Sequence, residues 1–381
     1  MEVMAKEQSI PFKSEIFDEG IIQFERNLKS ILSKYRKHGI PVILSTVVSN
    51  EKDVVPFVSD TIPDLDTFIG ALKLENPEAK ELAQTSAHAA YYLGSYYFEE
   101  DPDTARKYLH LAKELDMLRF RAPEKINDII VKLAQEYNAS LVDMKSIFES
   151  NSENEVVGDN LMTEHVHPNI EGQFLMADAF YEKIKELDIL DDWDNYVPFD
   201  EARNDIPVTL IDSLQGIIVI EKLKNSWPYN LNSDNLDSTA LPERSYKDKL
   251  TEIRMAQDIY LNVRKWDDIM AIAYSTYESD KDYDKALHVA QSLIFEYPEQ
   301  AVVYRMAGDM CIGLKDYPKA VFYYRRFNFF DKSSDSAEKL ALAYLYSDNV
   351  AEATKVLSEA KSRGLDVRGM SELENMLIVE E

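Results

Sequence analysis

The residues of this chain best suited to chemistry lie together in the stretch Thr163-Glu164-His165-Val166-His167-Pro168-Asn169. A carboxylate three positions ahead of an imidazole, in a turn stopped by proline, can hold the Nδ1–H and leave Nε2 free to take a proton. Glu164 and His167 are therefore the candidate catalytic pair, with His167 as general base and Glu164 as the carboxylate that orients it. The bland reading is a turn histidine next to a helix cap at Asn169. His165 and His167 could also bind a metal with Glu164, but no second ligand cluster accompanies them, so neither a metal nor a cofactor is expected. A base needs a nucleophile to activate, and none can be picked out of this sequence.

The elements that must position the pair follow from periodicity. From Ser14 to His38 the apolar residues Ile21, Phe24, Leu28, Ile31, Leu32 and Tyr35 recur at helical spacing, and Gly39 ends the run. Ile40-Pro41-Val42-Ile43-Leu44, continuing through Val47-Val48, reads as a strand buried on both faces, as in parallel sheets. Pro123 opens a second helix with the stripe Ile126, Ile129, Ile130, Leu133 and Tyr137. A short strand, Ser140 to Met144, follows, and then a polar segment from Glu149 to Asn160. After the Glu-His stretch comes a helix carrying Phe174, Met176, Ala177, Phe180, Tyr181 and Ile184. Helix, strand, helix, strand, loop, helix is an α/β unit. Between its strands, roughly Pro63 to Leu118 reads as an inserted helical hairpin.

The last third repeats itself. Asp282-Tyr283-x-x-Ala286 recurs as Asp316-Tyr317-x-x-Ala320, and Asn349-Val350-x-x-Ala353 supplies a third copy. A period of about 34 residues of paired helices is the tetratricopeptide signature. Tyr277, Cys311 and Leu345 are expected at matching sites, and Gly308 where two helices approach closely. Gly94, Tyr97, Ala105 and Ala112 give the insertion the look of a degenerate further unit. The stretch from Asp191 to Leu250 is the least regular. It reads as an ordered connection, because Leu210, Ile211, Leu214 and Ile217 to Ile220 need burial.

Composition narrows the function classes. With 69 acidic against 42 basic residues the net charge is −27, which opposes phosphate backbones and anionic lipid, so no nucleic-acid partner is expected. The single cysteine, Cys311, precludes an intrachain disulfide and sits in a helical pattern as a small hydrophobe. No apolar run reaches the ~18–20 residues of a membrane span. Met1 to Ile10 lacks the apolar core of a signal peptide, so the chain as written is expected to be soluble and unexported. Asp116, Arg119 and Arg121 read as hinge ion pairs, and the tyrosine pairs at 91–92, 96–97 and 323–324 as packing residues.

Four blocks carry a resemblance: Gln23 to Leu28, Thr46 to Asp53, Leu118 to Pro123, and Glu164 to Asn169 with Gly172. Through them residues 15–187 resemble the SGNH (GDSL-type) esterases, and with the repeats the chain is similar to a bacterial subgroup joining such a domain to tetratricopeptide helices. The resemblance implies an α/β plus all-α chain. Residues 1–62 and 119–190 would form a partial flavodoxin-like three-layer domain, 63–118 a helical insertion, 191–255 an irregular connection and 256–381 the repeat domain. It also implies serine-dependent cleavage of an ester, on a carbohydrate by analogy, with His167 as base and Glu164 in place of the usual aspartate. The family's Gly-Asp-Ser block and its oxyanion glycine and asparagine would precede the first helix. Gly158-Asp159-Asn160 is the nearest string here, and Asn50 is not at the oxyanion position. The chain therefore reads as the C-terminal part of such an enzyme, inactive alone, whose sheet needs an upstream half-domain or a second chain. Any export signal or anchor would lie in that upstream half, which leaves the native compartment open. The competing expectation is a non-catalytic module whose repeat groove holds a peptide or protein partner.

Overall fold

The computed structural model describes residues 9–189, 197–229 and 250–366. Two compact units divide the chain, Met1–Phe199 with Leu223–Asp234, and Asp200–Lys222 with Asn235–Glu381. Among the described residues there are seventeen α-helices, one short 3-10 helix (Glu153–Glu155) and a single two-stranded sheet.

In the first unit the order is α1 (Glu15–Lys37), β1 (Ile43–Ser45), α2 (Leu65–Lys73), α3 (Pro77–Leu82), α4 (Ala87–Tyr96), α5 (Pro102–Leu115), α6 (Glu124–Tyr137), β2 (Ser140–Val142), α7 (Met144–Ser150) and α8 (Ile170–Glu186). Ser14 caps α1, its hydroxyl oxygen accepting from Phe17 N, and Gly39 leaves the helix at φ +65°. The strands run parallel, Ile43 opposite Ser140 and Ser45 opposite Val142. Alternation sends Val42 and Leu44 to α1 and α6, around Leu32, Ile129 and Leu133. Ile43 and Val142 go to the other face with Phe148 of α7 and Leu175 and Met176 of α8. The sheet is thus the middle of three layers.

It is shorter than the apolar run suggests. Only Ile43–Ser45 pairs, while Ile40 and Val47 are 49% and 41% exposed, so the expectation of a strand from Ile40 to Val48 buried on both faces does not hold. The side chain of Asn127 takes over at Val47, accepting from its N–H at 2.8 Å and donating to its C=O at 3.0 Å. One amide does there what a neighbouring strand would do. The expected strand to Met144 also stops early, because Asp143 turns the chain by capping α7, a helix that periodicity missed.

The insertion packs within the first unit. Gly94 lets α4 and α5 close up: a Cβ there would stand 2.7 Å from Leu109 Cγ. The buried pair Asp116–Arg121, at 3.0 Å, ties the hairpin's end to the core. Asp116 accepts from Phe57 N and Val58 N, and Arg121 donates to Asn50 O and Val54 O. Of the three residues read as ion pairs, Asp116 and Arg121 form one, while Arg119 donates to the backbone carbonyls of Ile10 and Glu114.

In the second unit, α9 (Phe199–Asn204), α10 (Leu210–Lys224) and α11 (Leu250–Tyr260) occupy the stretch expected to be an irregular connection. Ile211, Leu214 and Ile218 form a buried stripe on α10 that the continuous apolar run at 217–220 concealed. The Asn/Ser/Asp-rich run at 230–238 lies outside the described residues.

The helical repeat follows as α12 (Trp266–Ser279), α13 (Tyr283–Glu296), α14 (Ala301–Leu314), α15 (Tyr317–Phe330), α16 (Ser334–Tyr346) and α17 (Val350–Ser362). Its turns are built alike. Lys281, Lys315 and Asp348 adopt φ of +61°, +60° and +55°, and Asp282, Asp316 and Asn349 then cap the next helix. Each cap N–H reaches back to a carbonyl at 2.9 Å, those of Tyr277, Cys311 and Tyr344. The third equivalent is therefore Tyr344 rather than Leu345, because the last period is 33 residues. Ala286, Ala320 and Ala353 are all fully buried.

Gly308 leaves no room for a Cβ, which would collide with the ring of Tyr324. That ring is pinned by a 2.6 Å hydrogen bond from its hydroxyl to Asp309. Gly308→Ala is expected to lower stability by about 1–3 kcal/mol by overpacking, despite the better helix propensity of alanine. Urea unfolding followed by circular dichroism checks this, and an unchanged midpoint would contradict the packing.

Candidate acid–base site

The loop ahead of α8 is closed on itself before any catalytic group is placed. Asn169 caps α8 by accepting from Gly172 N at 3.0 Å, and its amide donates to Asp159 O and Asn160 O. Gly172 packs against Leu161 O, where a Cβ would not fit. Met162 and Pro168 form an antiparallel bridge, and Thr163 N donates to His167 O at 2.8 Å. Residues 163–167 are left as a tight turn, anchored by Asn50 N donating to His165 O at 3.0 Å.

Within that turn Glu164 is fully buried. Its Oε1 accepts from His167 Nδ1 and His167 N, both at 2.6 Å, and from Val166 N at 3.2 Å. Its Oε2 accepts from the Tyr229 hydroxyl at 3.0 Å, and the Nδ1 of His165 also lies against it. With Nδ1 as donor in both histidines, each Nε2 is an acceptor. The rings differ in access. His165, 14% exposed, is boxed by Phe57, Phe120 and Tyr229, whereas the side chain of His167 is 78% exposed. Only imidazole 167 is open to an incoming hydroxyl.

Burial alone would push the Glu164 pKa up. The bonds from His165 and from the backbone N–H groups of His167 and Val166 outweigh that and hold the carboxyl well below its ordinary range. The side chain of Asn50, also fully buried, donates to Asp159 Oδ1 and accepts from Asp53 N. Asp159, of the string Gly158-Asp159-Asn160, belongs to the same cross-link. No serine hydroxyl is bonded to His167 Nε2 among the described residues.

A cavity of about 480 Å³ opens where β1 ends, lined by Val47, Val48, Ser49, Glu51, His110 and Lys113 among others. His167 is not part of its wall. Among the described residues no group of three or more His, Cys, Asp or Glu is arranged for a metal, and no helix is long and apolar enough to cross a membrane. The structure brings together the two residues singled out from sequence and adds two that sequence reasoning missed as partners, His165 and Tyr229. Tyr229 lies 65 residues beyond Glu164 in the chain, and only the Trp227-Pro228-Tyr229 string could have drawn attention to it.

A carboxyl whose folded pKa lies below its free value of 4.5 stabilises the fold fully above that value and stops doing so as pH falls toward the folded pKa. Between pH 6 and pH 3 the wild type is therefore expected to lose more thermal stability than Glu164→Gln, which has no proton to take up. Equal slopes in differential scanning fluorimetry would contradict the depressed carboxyl.

No family model matches the sequence, and no curated protein is significantly similar to it, so the functional reading rests on the geometry of this turn.

Proposed function

We propose that Glu164 and His167 are the acid–base half of an SGNH-type serine ester hydrolase, and that α12–α17 are a tetratricopeptide array. The observation that supports this is a sealed carboxylate 2.6 Å from Nδ1 of an imidazole whose other nitrogen faces solvent. The carboxylate also accepts two backbone N–H groups of its turn, but its bond to Nδ1 is the one that bears on the exposed ring, where it fixes the tautomer a general base needs.

In the reaction a serine from a Gly-Asp-Ser segment, a string that the given sequence does not contain, attacks the ester carbonyl. His167 Nε2 takes the hydroxyl proton and passes it to the departing alkoxide as the acyl-enzyme forms. Water then repeats the sequence, giving its proton to Nε2 and freeing the serine. Glu164 remains ionised throughout and stabilises the imidazolium. By the resemblance drawn from sequence, the ester is an O-acyl group on a carbohydrate. Large exposed aromatics on the second helices of the repeat, Phe295, Phe322 and Phe329 at 75%, 57% and 64%, favour a second reading in which the repeat binds protein.

Mixing the full chain with a polypeptide that carries the Gly-Asp-Ser block and its strands is expected to restore hydrolysis of p-nitrophenyl acetate. His167→Ala should then lower kcat by about 10⁴- to 10⁶-fold. Absence of restored hydrolysis, or a rate indifferent to His167, sinks the enzyme reading and leaves the binding one.

A further inference from the structure

We infer that Tyr229 is a positioning residue for the acid–base pair, fixing Glu164 Oε2 so that Oε1 is left to His167. The inference rests on the proposed reading of that pair and adds a residue to it from a distant part of the chain.

The hydrogen-bond accounting leads there. Oε1 already serves three donors from residues 166 and 167, all local to the turn. Oε2 has no backbone donor; it depends on side chains, the Tyr229 hydroxyl at 3.0 Å and the neighbouring imidazole of His165. Tyr229 Oη faces His165 N at 3.3 Å and His165 Nδ1 at 2.5 Å, and with both of these nitrogens as donors the phenolic proton is aimed at Glu164. Burial, with the Glu164 charge beside it, pushes the phenol pKa up, so the proton stays on Tyr229 at any physiological pH.

The ring is also clamped. It meets Phe57 edge to face at 5.1 Å and His165 at 5.7 Å, while Trp227, two residues earlier, meets Phe120 at 5.9 Å. Phe57 and Phe120 pack on each other, with the Arg121 guanidinium over Phe57. A phenol held this way is a fixed donor that costs no ordering when the pair works. Removing its hydroxyl leaves a buried carboxylate oxygen short of a donor. The negative charge then weighs more on Oε1, which grips the Nδ1–H of His167 more tightly.

Carbethoxylation of imidazole nitrogen by diethyl pyrocarbonate, followed at His167 by peptide mass spectrometry between pH 5 and 8, reads that grip on the full chain. Tyr229→Phe is expected to move the His167 profile to higher pH by about half to one unit, a roughly three- to tenfold loss of reactivity on the acidic limb. Glu164→Gln should move it the opposite way. Phe57→Leu, which loosens the clamp and keeps the hydroxyl, should give the Tyr229→Phe displacement in smaller size, and it carries the test if Tyr229→Phe does not fold. If Tyr229→Phe and Phe57→Leu both match wild type while Glu164→Gln is displaced, Tyr229 only packs and the acid–base reading stands. If Glu164→Gln is not displaced either, the pair itself is not coupled and the proposed function falls with it.

Discussion

The sealing of an ionised carboxylate at Glu164 is the constraint from which the first unit's geometry follows. A carboxylate taken out of water has to be repaid by donors on both oxygens, or it takes up a proton and ceases to orient anything. Two of its donors are backbone N–H groups of the same turn, so the turn cannot open without stranding the charge. The turn in turn depends on the cap at Asn169, the bare Cα of Gly172 against Leu161 O, and the bridge between Met162 and Pro168. Each of these is a modest interaction alone. Together they leave both imidazoles in one tautomer and expose only one of them.

The sheet behind the turn is small for the task. Two parallel strands of three residues are few for an independent sheet, and among the described residues helices cover both faces while side chains take up backbone groups at its end. Asn127 closes the β1 edge at Val47, and Thr46 receives the start of α7 through Lys145 N at 2.9 Å. Polar side chains replace strands at the points where the ladder runs out. This is why the chain leaves β1 at a fixed angle and carries Ser49 and Asn50 toward residue 165.

What could be read from sequence was local, and what could not was remote. The repeat showed itself because its turn is written in a few consecutive positions: an αL residue, an Asp or Asn cap, and an alanine four positions on, as at Lys281, Asp282 and Ala286. Glu164 and His167 were legible for the same reason, being three residues apart. Tyr229 was not, since no spacing rule links it to residue 164. The α10 helix was hidden by Ile217 to Ile220, four apolar residues in a row that erase the period marking Ile211, Leu214 and Ile218. The β1 strand was overextended by the opposite error, because an apolar run gives hydrophobicity but not the number of partner residues available to pair with it.

Polar interiors do the remaining work of holding the insertion to this frame. Burial alone would strip Lys113 of its proton, but Glu51 at 3.0 Å and Glu114 at 3.4 Å, with Glu124 at 3.7 Å, more than reverse that and raise its pKa. Those carboxylates come from three places: the exit of β1, the end of α5 and the start of α6. One ammonium on the hairpin therefore ties together the two segments that flank the sheet's carboxyl edge. Asp116 and Arg121 do the same a turn further on, reaching Phe57, Val58, Asn50 and Val54. Removing one member of the Asp116–Arg121 pair would leave the other as a buried charge without its partner, at a cost of about 3–5 kcal/mol, whereas Lys113 keeps two carboxylates when it loses one. The insertion is thus held to the edge of the sheet by charge as well as by apolar packing, and Phe57, which packs on Tyr229, is placed by the same buried aspartate.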